Sequence, residues 1–238
     1  MYALTASELL DVWERGVAAY PFQRAQALLE VAYPTTPPAD LAGLTVGERD
    51  RRLLALREAT FGSHISAVAT CAGCTASLEV TFHTSDIMTL PSPNGAAHVA
   101  VLGAYFVEFR LPTGRDLAEA DLGAPGFDLL RRCTIAAHHG GGVIDPAELP
   151  HDVVDAVVAR MAEADPQARV DIAVACPTCG GNWETPFDVV SFFWTEIDSW
   201  AGRMLREVHT LASAYGWREA DILALSPHRR RRYLDFVG

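Results

Sequence analysis

Lysine is missing from this chain altogether: all 19 basic residues among its 238 are arginine. The absence removes whole classes of enzyme, because a Walker A phosphate loop, a Schiff base to pyridoxal phosphate, a kinase lysine and a Ser-Lys dyad each need that amine. Positive charge is scarce in general. Thirty acidic residues leave a net charge of −11, the wrong sign for a body that grips nucleic acid. No apolar run reaches the length that crosses a bilayer. The opening Met1-Tyr2-Ala3-Leu4-Thr5 has no basic segment followed by an apolar one, so no signal peptide is read there. The expected setting is cytoplasmic, with reduced thiols.

Cysteine is also rare, five in all, yet four of the five belong to a motif that occurs twice. Thr70-Cys71-Ala72-Gly73-Cys74 runs on to Leu78, Glu79 and Phe82; 105 positions later (176 − 71), Ala175-Cys176-Pro177-Thr178-Cys179 runs on to Trp183, Glu184 and Phe187. Upstream, Ile65, Ala67 and Ala69 hold the offsets of Val170, Ile172 and Val174, alternating as in a half-buried strand. Each copy predicts strand, cysteine turn, strand. Two such turns could close one tetrahedral structural zinc on Cys71, Cys74, Cys176 and Cys179. A metal there would tie the middle of the chain to its last third, and its binding free energy, about 10–16 kcal/mol in zinc-finger peptides, would become folding free energy. Cys133 is left over as a small apolar residue of a buried helix.

Three other readings compete. A redox dithiol needs a helix N-terminus at the motif to lower the attacking thiol's pKa, whereas Thr75-Ala76-Ser77 and Gly180-Gly181-Asn182 are turn residues that lead into strands. Disulfides need an oxidising compartment. Loss of the metal, with the hairpins retained, is the third. A catalytic zinc would need an open position that four thiolates do not leave; no HExxH occurs, and no H-x-E precedes a P-C-x-x-C. His138-His139, ahead of three glycines, reads as the capped end of a helix rather than a ligand pair.

The pattern predicts an α+β fold in which helices pack on a small antiparallel sheet carrying the two CxxC zinc-knuckle hairpins. Residues 1–44 form an N-terminal helical segment, 45–187 the α+β body with both half-sites, and 188–238 the C-terminal helices. Thr5 with Glu8 and Thr45 with Glu48 are capping-box spacings, a second helix runs from about Phe22 to Tyr33, and Gly62 stops the helix that Thr45 starts. Strands are expected over His98–Leu102 and Tyr105–Leu111, helices over Asp116–Asp121, Gly126–His138 and His151–Ala164. Apolar residues three or four apart from Phe193 to Tyr215 then predict one long helix ended by Gly216. A short helix over Glu219–Leu225 follows. Ser226-Pro227 opens the last helix, which holds Arg229, Arg230, Arg231 and Arg232 and is expected to dock through Tyr233, Phe236 and Val237. Phe192, Trp194 and Trp217, with the four arginines, are the candidate partner-binding residues, since aromatics and arginine are favoured at interfaces.

The conjunction of Glu48-Arg49-Asp50 through Phe61-Gly62, the first CxxC hairpin, Phe109-Arg110-Leu111-Pro112-Thr113-Gly114-Arg115-Asp116-Leu117, and Cys176-Pro177-Thr178-Cys179 with Phe187-Asp188 resembles a baseplate family. It is similar to the hub and hub-assembly proteins of T-even phage baseplates and of phage-like contractile injection systems, over most of the chain from about Thr45. His209 to Tyr233 also resembles the C-terminal helices of small tail assembly proteins. The resemblance implies a non-enzymatic structural or assembly role, with baseplate, hub, tube or spike proteins as partners, no membrane and no small-molecule substrate. The chain would then be cytoplasmic or incorporated in an assembled tail-like particle. Cys71-Ala72-Gly73-Cys74 lacks the proline and the glycine that frame the second knuckle, which makes it the weaker carry-over. The alternative function is a zinc-ribbon regulator contacting nucleic acid through Arg229 to Arg232.

Overall fold

The computed structural model describes residues 1–90, 95–120 and 125–237. Four helices open the chain: α1 (Ala6–Gly16), α2 (Pro21–Ala32), the short α3 (Pro38–Ala42) and α4 (Val46–Phe61). Their starts follow the sequence. The Thr5 hydroxyl accepts the Glu8 amide while the Glu8 carboxylate accepts the Thr5 amide, a complete capping box. At α4 only half of the box forms: Thr45 accepts the Glu48 amide, but the Glu48 carboxylate is taken by Arg51 and Arg52 at 2.7 Å each. Gly62, at φ 92°, ends α4 in a backbone region that favours glycine.

The first hairpin pairs β1 (His64–Thr70) with β2 (Ser77–His83), from His64↔His83 to Thr70↔Ser77. After α5 (Thr84–Ile87) comes a second sheet of β3 (Ala97–Leu102), β4 (Tyr105–Arg110), β5 (Thr134–His139) and β6 (Gly142–Val143), interrupted by α6 (Gly114–Glu119) and α7 (Pro125–Cys133). Then α8 (His151–Ala164) leads to the second hairpin, β7 (Asp171–Ala175) with β8 (Asn182–Pro186), and the chain closes with α9 (Val189–Tyr215), α10 (Glu219–Leu223) and α11 (Pro227–Leu234). The class is α+β, with three antiparallel sheets among the described residues where one small sheet was expected: each hairpin is a sheet of its own, and the third is a four-stranded meander.

Two expectations fail locally. The helix read over Gly126–His138 stops at Cys133, and Thr134 starts β5, whose pairing with β4 outweighs the helical pattern. His138 and His139 therefore lie in a strand that turns through Gly140 (φ 58°) and Gly141 (φ 88°), two left-handed residues as a tight hairpin turn requires, into β6. The short helix read over Asp116–Asp121 begins earlier, at Gly114, where Thr113 caps it; Asp121 lies outside the described residues.

The main core joins α1, α2, α4, Ile65 of β1 and the first half of α9, with Leu28, Leu53, Phe193 and Ile197 fully buried. Each such side chain contributes about 1.5–3 kcal/mol relative to exposure. A second core forms between the meander (Val107, Phe109, Ala137) and α8 (Val153, Val157). The segment from Phe109 to Asp116 stitches the two together. Phe109 fills the second core, the Val46 amide donates to the Pro112 carbonyl at 3.0 Å, and the Gly114 amide donates to Leu44 at 3.2 Å. A side chain on Gly114 would stand 3.2 Å from the Ala42 carbonyl oxygen. Arg110 grips Asp116 through two hydrogen bonds of 2.6 and 2.7 Å.

The loop between α8 and β7 aligns the two hairpins. Asp165, buried, accepts the Gly47 amide at 2.9 Å at the start of α4. Two residues later the Gln167 side chain accepts the Thr89 amide at 2.7 Å and donates to the Ile87 carbonyl at 3.3 Å. The entrance to the second hairpin is thereby fixed beside the exit from the first. Phe82 and Phe187, which hold the same offset from the first cysteine of each repeat, meet edge to face at 5.4 Å.

Candidate metal centre

Each cysteine turn is closed by its own backbone. The Cys71 amide donates to the Ala76 carbonyl at 2.9 Å and the Thr75 amide returns to the Cys71 carbonyl at 2.9 Å; in the second copy the Cys176 amide donates to Gly181 at 2.8 Å and the Gly180 amide to Cys176 at 2.9 Å. Both turns place the fourth residue after the first cysteine in the left-handed region, Thr75 at φ 58° and Gly180 at φ 73°. Equivalent hydrogen bonds and equivalent dihedrals make the two cysteine turns copies of one shape.

Facing each other, the turns gather the thiols of Cys71, Cys74, Cys176 and Cys179, whose sulfurs all lie within 4.8 Å of one another. Two contacts cross between hairpins, at 3.7 Å for Cys71–Cys179 and 3.6 Å for Cys74–Cys176. Disulfides would need about 2.05 Å, and all five cysteines are free. A tetrahedron of thiolates at the usual zinc–sulfur distance of about 2.3 Å has edges of about 3.8 Å, so the donor set fits a single soft cation. Cys71 and Cys176 are buried, Cys74 is half-buried and Cys179 is exposed. Close to Cys179 the chain is glycine: a side chain on Gly181 would stand 3.4 Å from its sulfur.

The electrostatics separate the thiols. The Cys179 amide, with help from that of Thr178, pulls the Cys176 thiol down to about 6 against the cost of burial. At Cys74 the Ala76 amide also lowers the pKa, but the neighbouring thiols and burial outweigh it and push the group up to about 12. Four thiols this close cannot all ionise through their mutual repulsion unless a cation neutralises them. Four soft donors with, among the described residues, no further His, Cys, Asp or Glu grouped with them suit a structural ion and leave no open position for substrate.

Cys133 stands apart, buried at the end of α7 with the Arg110 guanidinium 3.9 Å from its sulfur. Burial pushes its thiol up to about 11, which makes it unreactive.

The other candidate residues scatter. Trp194 is buried; its ring covers Gly16, where a side chain would come within 2.0 Å, and Arg24 lies over it at 4.6 Å. Phe192 is half-buried against Phe187 at 4.9 Å, with Arg57 over its face at 5.9 Å. Trp217 stacks on Tyr215 at 4.7 Å and meets Tyr233 edge-on at 4.8 Å. In α11, Arg230 is buried and paired with Glu207 at 2.6 Å, while Arg229, Arg231 and Arg232 are exposed. The expected anchors Phe236 and Val237 are exposed instead; Arg230 and Tyr233 hold the helix down.

Several residues that organise the site carried no legible role in the sequence. Arg57 binds Glu196 through two bonds of 2.8 and 2.6 Å and also the Gly62 carbonyl at 2.6 Å, locking α4 to α9 behind the first hairpin. Arg57 and Glu196 are 139 positions apart, so only the fold relates them. Asp165 and Gln167 are the same case; Asp165 before a proline reads locally as a turn and nothing more.

A search of curated proteins and a search of solved structures found no match. A family model described as T4 bacteriophage base plate protein matches residues 17–194. The match begins well upstream of Thr45, taking in α2 and α3, and stops inside α9, so the likeness of His209 to Tyr233 to tail assembly proteins lies outside it. It spans three quarters of the chain, including both cysteine turns, the Phe109–Leu117 segment and the Arg57–Gly62 junction. The chain belongs to the T4 bacteriophage base plate protein family.

Proposed function

We propose that this protein is a non-enzymatic structural or assembly subunit of the baseplate of a contractile phage tail or contractile injection system, its body closed by one zinc ion on Cys71, Cys74, Cys176 and Cys179. The observation that carries the reading is the meeting of four sequence-distant thiols within 4.8 Å in a chain of a baseplate family. The ion would supply a crosslink and no chemistry. It joins the hairpin that follows the N-terminal helices to the hairpin that precedes α9, and so fixes the shape of the face between them. Residues 1–44, 45–187 and 188–238 act as helical base, metal-stapled body and C-terminal arm. Baseplate, hub, tube or spike proteins are the partners, with Phe192, Trp217 and the exposed arginines of α11 as surfaces available to them.

Metal analysis of the purified protein tests the reading directly, with about one zinc per chain expected. Cys176→Ser should lose that metal and leave a partly unfolded, aggregation-prone protein, because metal binding and folding are one equilibrium in such sites. An unchanged circular dichroism melt for the variant would sink the staple. Tagged protein recovered from its own host with tube, spike or baseplate components would support the assembly role; recovery of nucleic-acid machinery in their place would refute it.

A further inference from the structure

Arginine pairing is uneven along this chain. Residues 1–202 hold 12 arginines against 26 acidic residues, and residues 203–238 hold seven against four, so a cationic arm follows an acidic body. Among the described residues, five arginines in the arm meet no carboxylate within 4 Å: Arg203, Arg206, Arg218, Arg229 and Arg231. Only Arg15, Arg24 and Arg115 share that state elsewhere. The arm is also held rigidly. Arg230 is spent internally on Glu207 and the Leu225 carbonyl, at 2.6 and 3.2 Å, which fixes α11 and leaves exposed both Arg229, which meets no carboxylate, and Arg232, which meets only the exposed Asp235 at 3.9 Å, with Phe236, 74% exposed, just past the helix end.

The matching surface is on this same chain. On α8, Asp152 and Asp155 are exposed and face no cation within 4 Å, and Val158 follows on that side, 53% exposed. Arg229 and Arg232 on α11, with Phe236 just past its end, and Asp152, Asp155 and Val158 on α8 present two charges and then an apolar residue in the same order with opposite sign, so side-by-side packing sets arginine on aspartate and Phe236 near Val158. We propose that the α11 arm of one copy docks on the α8 face of a second copy, a head-to-tail contact that leaves a free face on the first copy and a free arm on the second for further copies. A nucleic acid fits less well. The strongly acidic body beside the arm would repel a polyanion. The contact involves neither the cysteines nor their metal.

Sedimentation velocity on the full chain tests this with the protein as its own probe. At about 0.1 M salt, where charges act over about 10 Å, self-association is expected; near 1 M, where they act over about 3 Å, it should be lost. R229E/R232E and D152R/D155R should each weaken association at least about tenfold. An equimolar mixture of the two should restore it, since each reversed surface then meets its complement, and restoration also shows that both variants are folded. A wild-type chain that stays monomeric to about 0.1 mM, association that survives either reversal, or a mixture that stays apart overturns the proposal. So does a monomeric chain that binds a duplex DNA oligonucleotide through the same arginines.

Discussion

Thr75 and Gly180 hold the same place in the two cysteine turns, both left-handed, at φ 58° and 73°. A side chain there costs about 1–2 kcal/mol. Thr75 recovers part of this by donating its hydroxyl to the Cys74 carbonyl at 2.7 Å. Gly180→Thr is therefore expected to lower stability by about 1–2 kcal/mol, and Thr75→Gly to change it by less than about 1 kcal/mol, upward if at all. Urea midpoints at unchanged slope would check both, and equal losses at the two sites would contradict the account. Asp116 gives the pH dependence. Burial raises its carboxyl, but the Arg110 guanidinium and the Thr113 hydroxyl and amide more than reverse this and hold it at about 2, against an ordinary 3.8. A carboxyl depressed in the folded state stabilises above its unfolded value, so this contribution is complete above about pH 4 and is lost as pH falls toward 2. Asp116→Asn should remove that acid sensitivity and cost about 1.5–3 kcal/mol at pH 7, nearer the lower figure because Arg110 is partly exposed.

Among the elements, α11 is held by the packing of Tyr233 and by the pair of buried Arg230 with half-buried Glu207. Arg230→Met would keep the aliphatic packing and leave Glu207 unmatched. Local opening of α11 should become easier by about 2 kcal/mol, roughly thirtyfold, while the main core melts as before. Faster tryptic cleavage after Arg229 or Arg232 with an unchanged thermal midpoint is the expected result; a fall in the midpoint would mean that the arm belongs to the same cooperative unit as the core. The capped helix starts at Thr5, Thr45 and Ser226 were legible because a cap is a local bond between a side chain and an amide three residues on. The change from α7 to β5 at Thr134 was not. The stretch has helical periodicity, and what ends the helix is the pairing of Thr134 with Phe109 of β4, next to a bulge that leaves Ile135 of β5 without a partner in that ladder.

For the whole molecule, the repeated motif carried more information than any single residue. Two matching strand–turn–strand patterns implied two equivalent hairpins, and their cysteines implied a common centre; the four sulfurs do converge. The three-sheet arrangement was hidden, because alternation predicts strands and says nothing of which strands pair. Trp194 was equally hidden. Helical spacing sets it beside the buried stripe of α9, yet the absence of a side chain at Gly16 opens a slot that buries its ring.

By itself the sequence determined what short-range chemistry determines: the capped helices, the two cysteine turns, the long amphipathic α9, and the exclusion of lysine-dependent chemistry. Tertiary structure decided everything that depends on residues far apart in the chain. Asp165 at the start of α4, Arg57 on Glu196, Phe82 on Phe187 and Arg230 on Glu207 are long-range pairs, set by how the elements pack rather than by any local preference. The same packing set which arginines were consumed inside the fold and which remained on the surface.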